Sequence, residues 1–424
     1  MKRQLVKPLE QTGRTTRLSA ADGLMSLMTP TLALCYRERL DASRLRLALA
    51  RVLTDYSSFS GRVQRKGGDL FLEHGLGGAG FEVSESSDLS AVLGAAARAS
   101  HSSLVCPHMS ALGMLGGRES LFAARVTHTP DGSVLGVTWN HALGDYHSAM
   151  LLLRAWALAY RDRPHDKPLE VSDRCAYLKE MLPEAPSGSL AWRVLSWPEF
   201  FRFIHAQFWV ARPVQRVALE FSRDEISAIH AAAGCEKSVT AYDALCAHIF
   251  LTLRRLLDTQ VSPHFAIAIN YRKRLGLPAN LLGNLSDVVN TKASASDTTA
   301  TIASALRRRV ETFATGPIGQ RDLAALKAAY PSALQQMRCS TQLSDPYRTN
   351  LILSNVGDVG HYELPFGLSA PVFVHARGTN MMAPGFGTIV KSMEGERVTV
   401  DMMLPRTLAR RVAGERGRSP LSML

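Results

Sequence analysis

The segment Asn140-His141-Ala142-Leu143-Gly144-Asp145 carries the strongest chemical signal in the chain. A histidine can take the proton from an alcohol or amine as that group attacks a carbonyl. An imidazole suits the task because its ordinary pKa lies near physiological pH. An aspartate four residues on, in a tight turn, is better placed to fold away and anchor the loop to a cation than to enter the reaction. Taken alone, an H-x-x-x-D spacing is also met by chance, and a structural histidine answers to it equally well. His101, His108, His128 and His147 read as ordinary histidines.

The surrounding elements decide where such a loop would sit. Leu121 to His128 and Val134 to Asn140 are β-rich runs joined by Thr129-Pro130-Asp131-Gly132, a turn signal. They predict a hairpin whose second strand delivers His141 at its end. Residues 147–160 predict a buried helix, and residues 41–55 a helix capped by Asp41. Prolines 164, 168, 183, 186 and 198 interrupt regular structure and predict a crossover over 162–214. The second half restarts with a strand (Val217 to Phe221), a helix from near Asp224, a helix from Thr240 to Leu257 and a strand into Asn270. Strands and helices alternate in both halves. The pattern predicts an α/β protein with similar-sized domains over 1–161 and 215–424.

Composition narrows the class. A chain of 424 residues exceeds one ordinary compact domain, and 46% hydrophobic with 20% charged residues is globular. No apolar run is long enough to span a bilayer, and the basic first seventeen residues contain no apolar signal core. The six cysteines (35, 106, 175, 235, 246 and 339) show no C-x-x-C spacing. That argues against a metal site or a disulfide framework and for reduced thiols in a cytosol-like compartment. A net charge of +12 suits an anionic partner: nucleic acid, a membrane surface or a phosphate-bearing cofactor. The basic residues do not interleave with aromatics, and only Arg406 to Arg418 form a dense cluster, which reads as a solvated surface rather than a nucleic-acid site. The Ser-Met-Leu ending is loosely similar to a peroxisomal address, with Met in place of the basic residue; a frayed terminus is the plainer reading. A monomer is expected.

Several further segments, in one order, extend the signal at His141. Leu18-Ser19-Ala20-Ala21-Asp22 is similar to the L-S-x-x-D of the BAHD acyltransferases, and Phe59-Ser60-Gly61-Arg62 to their A-G-R. Val126 to Tyr160 resembles the strand, H-x-x-x-D-G loop and apolar helix of that family. Ser172-Asp173-Arg174 is similar to its D-R. Asn270-Tyr271-Arg272-Lys273-Arg274-Leu275, followed by Pro278 and Gly283-Asn284, resembles its N-x-R-x-R-L…P…G-N stretch. Tyr362-Glu363-Leu364-Pro365-Phe366-Gly367 stands where its D-F-G-W-G belongs. Order and spacing agree from about residue 18 to residue 369.

The resemblance implies two chloramphenicol-acetyltransferase-like domains, each a mixed β-sheet with flanking helices, and an active-site channel between them. It implies acyl transfer from acyl-CoA, a cosubstrate rather than a bound cofactor, to a hydroxyl or amine of a small molecule, without a covalent acyl-enzyme. His141 is then the general base. Asp145 is structural and pairs with Arg272, or failing that Arg274. Ser354 is a candidate donor to the charge developing on the thioester oxygen. No residue is singled out for CoA. Gly283 and Asn284 are expected to make a turn and cap. Three departures stand out: Tyr146 replaces the motif's glycine, Pro365-Phe366-Gly367-Leu368-Ser369 has lost the Asp and Trp of D-F-G-W-G, and Asn140 replaces the first histidine of condensation domains. Two other functions compete: a catalytically silent member that binds a ligand or partner, and a carrier-protein-dependent condensation enzyme.

Overall fold

The computed structural model describes residues 3–87, 105–182, 193–205, 214–234, 236–257, 264–294, 296–315, 323–324, 338–340, 350–377 and 385–415. Cys235, His101, Pro183, Pro186 and the tail with its Ser-Met-Leu ending lie outside the described residues.

Two compact units divide the chain. The first takes Met1–Met181 and adds Leu275–Leu285 and Val356–Met381; the second takes the remainder. The chain thus returns to the first unit twice after leaving it, and the stretch 162–214 is shared between the units.

In the first unit the sheet is six-stranded and mixed, in the order β1-β6-β7-β8-β3-β15. These strands are β1 (Gln4–Val6), β3 (Thr31–Tyr36), β6 (Ala79–Glu85), β7 (Phe122–Thr129), β8 (Gly132–Trp139) and β15 (Phe373–Arg377). A smaller sheet joins β2 (Thr15–Arg17), β5 (Asp69–Glu73) and β4 (Arg62–Lys66). β7 and β8 form the expected hairpin, Phe122 facing Trp139 and Thr129 facing Gly132. Every residue of β3 and β8 is buried, as strands covered on both faces require. The helices Ala42–Asp55 and Tyr146–Tyr160 lie against each other. Asp41 caps the first of them as its spacing predicts, accepting from Ser43 and Arg44 N–H.

The second unit repeats the architecture with a six-stranded mixed sheet ordered β10-β17-β16-β14-β11-β12. Its strands are β10 (Val214–Ser222), β11 (His264–Asn270), β12 (Ser286–Lys292), β14 (Leu351–Asn355), β16 (Phe386–Lys391) and β17 (Arg397–Pro405), and β9 (Arg193–Val194) pairs with β13 (Cys339–Ser340) apart from them. Helices Arg223–Ala233 and Ala241–Arg255 each begin with a reciprocal capping box, Ser222 with Glu225 and Thr240 with Asp243. Helix Arg406–Glu415 buries Leu408, Ala409 and Val412 and leaves Arg406, Arg410 and Arg411 exposed.

The proline-spaced stretch holds more regular structure than its composition implies. Helices Arg174–Met181 and Trp197–His205 form there. Pro183 follows the first, and Pro198 lies in the opening turn of the second, where a missing N–H costs no helical hydrogen bond.

The segment at the D-F-G-W-G position keeps its Phe and first Gly for visible reasons. Phe366 is fully buried, edge-on to Trp156 at 5.0 Å and to Tyr36 at 6.3 Å. Glu38 gathers the next two residues, accepting from Leu368 N at 2.9 Å, Ser369 N at 3.0 Å and Ser369 Oγ at 3.0 Å. A Cβ on Gly367 would stand 2.3 Å from that carboxylate. A carboxylate from a distant strand end thereby fastens a turn that has lost its own aspartate.

Candidate active site

β8 ends at Trp139, and the loop 140–145 is pinned from both sides. Asn140 Oδ1 accepts from Ala142 N at 2.9 Å, while its Nδ2 donates to Ser26 O at 2.8 Å. His141 N donates to Met28 O at 3.0 Å. Arg174, itself buried, sends Nη1 to Ala142 O and Nη2 to Leu143 O, each at 3.1 Å. The loop carbonyls are thereby satisfied by a rigid planar fork.

His141 is half-buried, and its Nδ1 lies 2.7 Å from Asn284 Oδ1. Asn284 reaches it from the short segment Leu275–Leu285, which belongs to the first unit. The amide's orientation follows from its other contacts. Its Nδ2 donates to Asp22 Oδ1 at 2.7 Å and to His141 O at 2.8 Å, so the oxygen must face the imidazole. An amide oxygen accepts only, so Nδ1 carries the proton and Nε2 holds the lone pair. Burial pushes the His141 pKa below its ordinary value, overcoming the charge of Asp145 and the Asn284 bond, which raise it. The imidazole is therefore neutral at pH 7, with its lone pair on Nε2.

The network continues inward. Asp22 is wholly buried; its Oδ2 accepts from Ser19 N at 2.8 Å, and Ser19 Oγ accepts from Asp22 N at 3.1 Å. The L-S-x-x-D segment is thus a capping box on helix Ala20–Met25. Asp22 Oδ1 also lies 3.3 Å from Arg174 Nη1. Three segments that looked separate in sequence meet at His141: Ser19-x-x-Asp22, Asp173-Arg174 and Gly283-Asn284.

Asp145 is the N-cap of helix Tyr146–Tyr160. Its Oδ1 accepts from Ser148 N and Ser148 Oγ, both at 3.0 Å, and its Oδ2 accepts from Leu285 N at 3.0 Å. Its own N–H donates to Gly283 O at 3.2 Å. The helix therefore starts one residue earlier than its apolar periodicity predicts. Gly144 must be glycine, because a Cβ there would lie 2.6 Å from the Ser148 side chain.

Arg272, Arg274 and Ser354 belong to the second unit. Arg272 is buried just beyond β11; its backbone N and Nη1 donate to Asn270 Oδ1 at 3.0 and 3.3 Å. Arg274 Nη1 donates to Asn270 O at 2.9 Å. Asn270 is thus the organiser of the N-x-R-x-R stretch. Ser354 sits half-buried on β14, opposite Ala268 of β11 and Thr388 of β16. His147 Nε2 contacts Ala279 O at 2.9 Å, and His128 Nδ1 contacts Ser133 Oγ at 3.1 Å, both tying structure together. Among the described residues no group of three His, Cys, Asp or Glu could hold a metal ion, and no helix is long and apolar enough to cross a membrane.

A family model described as the Transferase family matches residues 1–411. The chain is a BAHD acyl-CoA-dependent acyltransferase family member. Solved BAHD-like structures agree in fold. F. graminearum TRI101 complexed with ethyl coenzyme A is 16% identical, with 95% of this chain and 97% of that one covered at a TM-score of 0.74. F. sporotrichioides TRI101 complexed with coenzyme A and T-2 is 18% identical, with coverage of 95% and 97% and a TM-score of 0.72. Vinorine synthase is 17% identical, with coverage of 100% and 96% and a TM-score of 0.69. No curated protein matches the chain in sequence. The motif names His141 and Asp145 and reads Gly283-Asn284 as a turn and cap, whereas the Asn284 side chain bonds both His141 and Asp22. The sole hint in the BAHD-like stretch was the G-N pair itself, whose partners lie at 22 and 141.

Proposed function

We propose that this BAHD family member transfers an acyl group from acyl-CoA to a hydroxyl or amine of a small-molecule acceptor, with His141 as general base. The observation that carries the reading is the His141 Nδ1 contact to Asn284 Oδ1, which leaves Nε2 unprotonated. Nε2 takes the acceptor's proton as its oxygen or nitrogen attacks the thioester carbonyl. The C–S bond then breaks, and the proton passes to the departing CoA thiolate. No acyl-enzyme forms. Ser354 is proposed as a donor to the oxyanion, and Asp145 as a structural residue paired with Arg272, with Arg274 as the alternate. The related structures carry coenzyme A together with deoxynivalenol or T-2, which supports free CoA and a small acceptor here. We place the enzyme as a monomer in the cytoplasm.

The test is thiol release from a panel of acyl-CoAs with pooled alcohols and amines, beside His141→Ala. Acceptor-dependent release should fall by about 10²–10⁴ in the variant, the usual worth of a general base. Equal release by both proteins with every pool would sink the reading. Thermal stabilisation by CoA would then point to a silent binder, and turnover only with a phosphopantetheinyl carrier protein would point to the condensation reaction.

A further inference from the structure

Tyr146 replaces the glycine that follows the motif's aspartate, and its ring has a defined place. The phenol oxygen lies 2.7 Å from His361 Nε2. The ring stands edge-on to His361 at 5.5 Å and to Trp139 at 5.5 Å. Trp139 is the last residue of β8, and Tyr146 is the first of the helix that follows the catalytic loop. Their contact therefore closes the base of the loop 140–145, and His361 holds the closing ring by its hydroxyl.

The partner is built for this. His361 is buried and its pKa is pushed down to about 4, by burial first and by the charge of Arg154 second. Burial also pushes the Tyr146 phenol well above its ordinary value. Both groups stay neutral, so a single O–H or N–H joins them across the working pH range. Gly360, just before His361, has φ 77° in the left-handed region, and a Cβ there would meet Arg154 Nη2 at 2.7 Å. Two turns along the same helix, Arg154 Nη2 donates to Val359 O at 2.6 Å. The segment 359–361 is thus fastened to the helix at two points.

We propose that Tyr146 and His361 are paired positioning residues that hold the loop bearing His141 in its working geometry. This rests on the acyl-transfer reading for its kinetic consequence but not for its structural one. With wild-type turnover in hand, Tyr146→Phe and His361→Phe should each lower kcat about tenfold, within what sub-ångström misplacement costs. KM for acyl-CoA should change by less than about threefold, the double variant should lose no more than either single one, and His361→Gln should retain most activity.

A second readout needs no substrate. In selectively labelled protein, the His141 imidazole titration should move up toward the ordinary histidine value in Tyr146→Phe, because a loosened loop admits water. Two results overturn the proposal: single-variant losses that multiply in the double, or a His141 titration and kcat unchanged in Tyr146→Phe. Should wild type show no transfer at all, the titration alone still decides whether the pair positions the loop.

Discussion

The tautomer of the His141 imidazole is set by an amide that can face only one way. Asn284 is held by a carboxylate and a carbonyl on its nitrogen side, so its oxygen selects the Nδ1-protonated tautomer. Replacing Asn284 by Leu should lower kcat while leaving the base in place, a loss smaller than the about 10²–10⁴ of His141→Ala; steady-state rates of the two variants side by side check the ranking. Protonation would disable the proposed base, and burial holds the His141 pKa below the ordinary 6.5. The acid limb of kcat/KM should therefore fall below pH 6.5, and a limb at or above that value would contradict the burial assigned to His141. The same sign governs stability. His141 and His361 both have folded pKa values below the unfolded one, so the unfolded chain binds more protons on acidification. Stability contributed above pH 6.5 should decline as pH falls beneath it, which a melting series over pH 4–7 would show. The place of His141 just past the second strand of a hairpin was legible from the flanking runs. Asn284 was not, because a hydrogen bond between residues 141 and 284 leaves no local pattern in either segment.

A loop is only as fixed as the elements that end in it. Here β8 enters and a capped helix leaves, and Asp145 joins that helix to the segment carrying Asn284 through Leu285 N. The aspartate of H-x-x-x-D is thus a helix cap in its own unit. Asparagine caps about as well as aspartate, whereas alanine does not, costing roughly 0.5–2 kcal/mol. Asp145→Ala should therefore lower stability by about that much or more, since the buried Leu285 N–H also loses the shorter of its two bonds and keeps only Gly283 O at 3.2 Å, and Asp145→Asn should fall between it and wild type in urea melts. A larger loss in Asp145→Asn than in Asp145→Ala would contradict the capping role. Element types were readable because hairpin, capping boxes and helical periodicity are local. The helices inside 162–214 were not, since prolines at helix ends look in sequence like prolines that abolish helices.

On the scale of the molecule, neither unit is a continuous piece of chain. The first unit owns 275–285 and 356–381, and with them Asn284, His361, Phe366 and the edge strand β15. A fragment of residues 1–181 lacks all four and should not fold alone. Its expected signature is collapsed amide dispersion in NMR spectra, with dispersion regained when 182–424 is co-expressed. A well-dispersed isolated fragment would refute this. Division by length and prolines reads the chain as two consecutive halves, because no composition marks a segment that goes back. Among the described residues β15 pairs with β3 alone, Phe373 opposite Cys35 and Arg377 opposite Thr31. During synthesis that apolar edge of β3 must wait for more than three hundred further residues, tens of seconds at about 5–20 residues per second on the ribosome. A nascent chain thus carries an unpaired, water-averse strand edge through most of its translation, which makes holdase chaperones the natural remedy for poor yield.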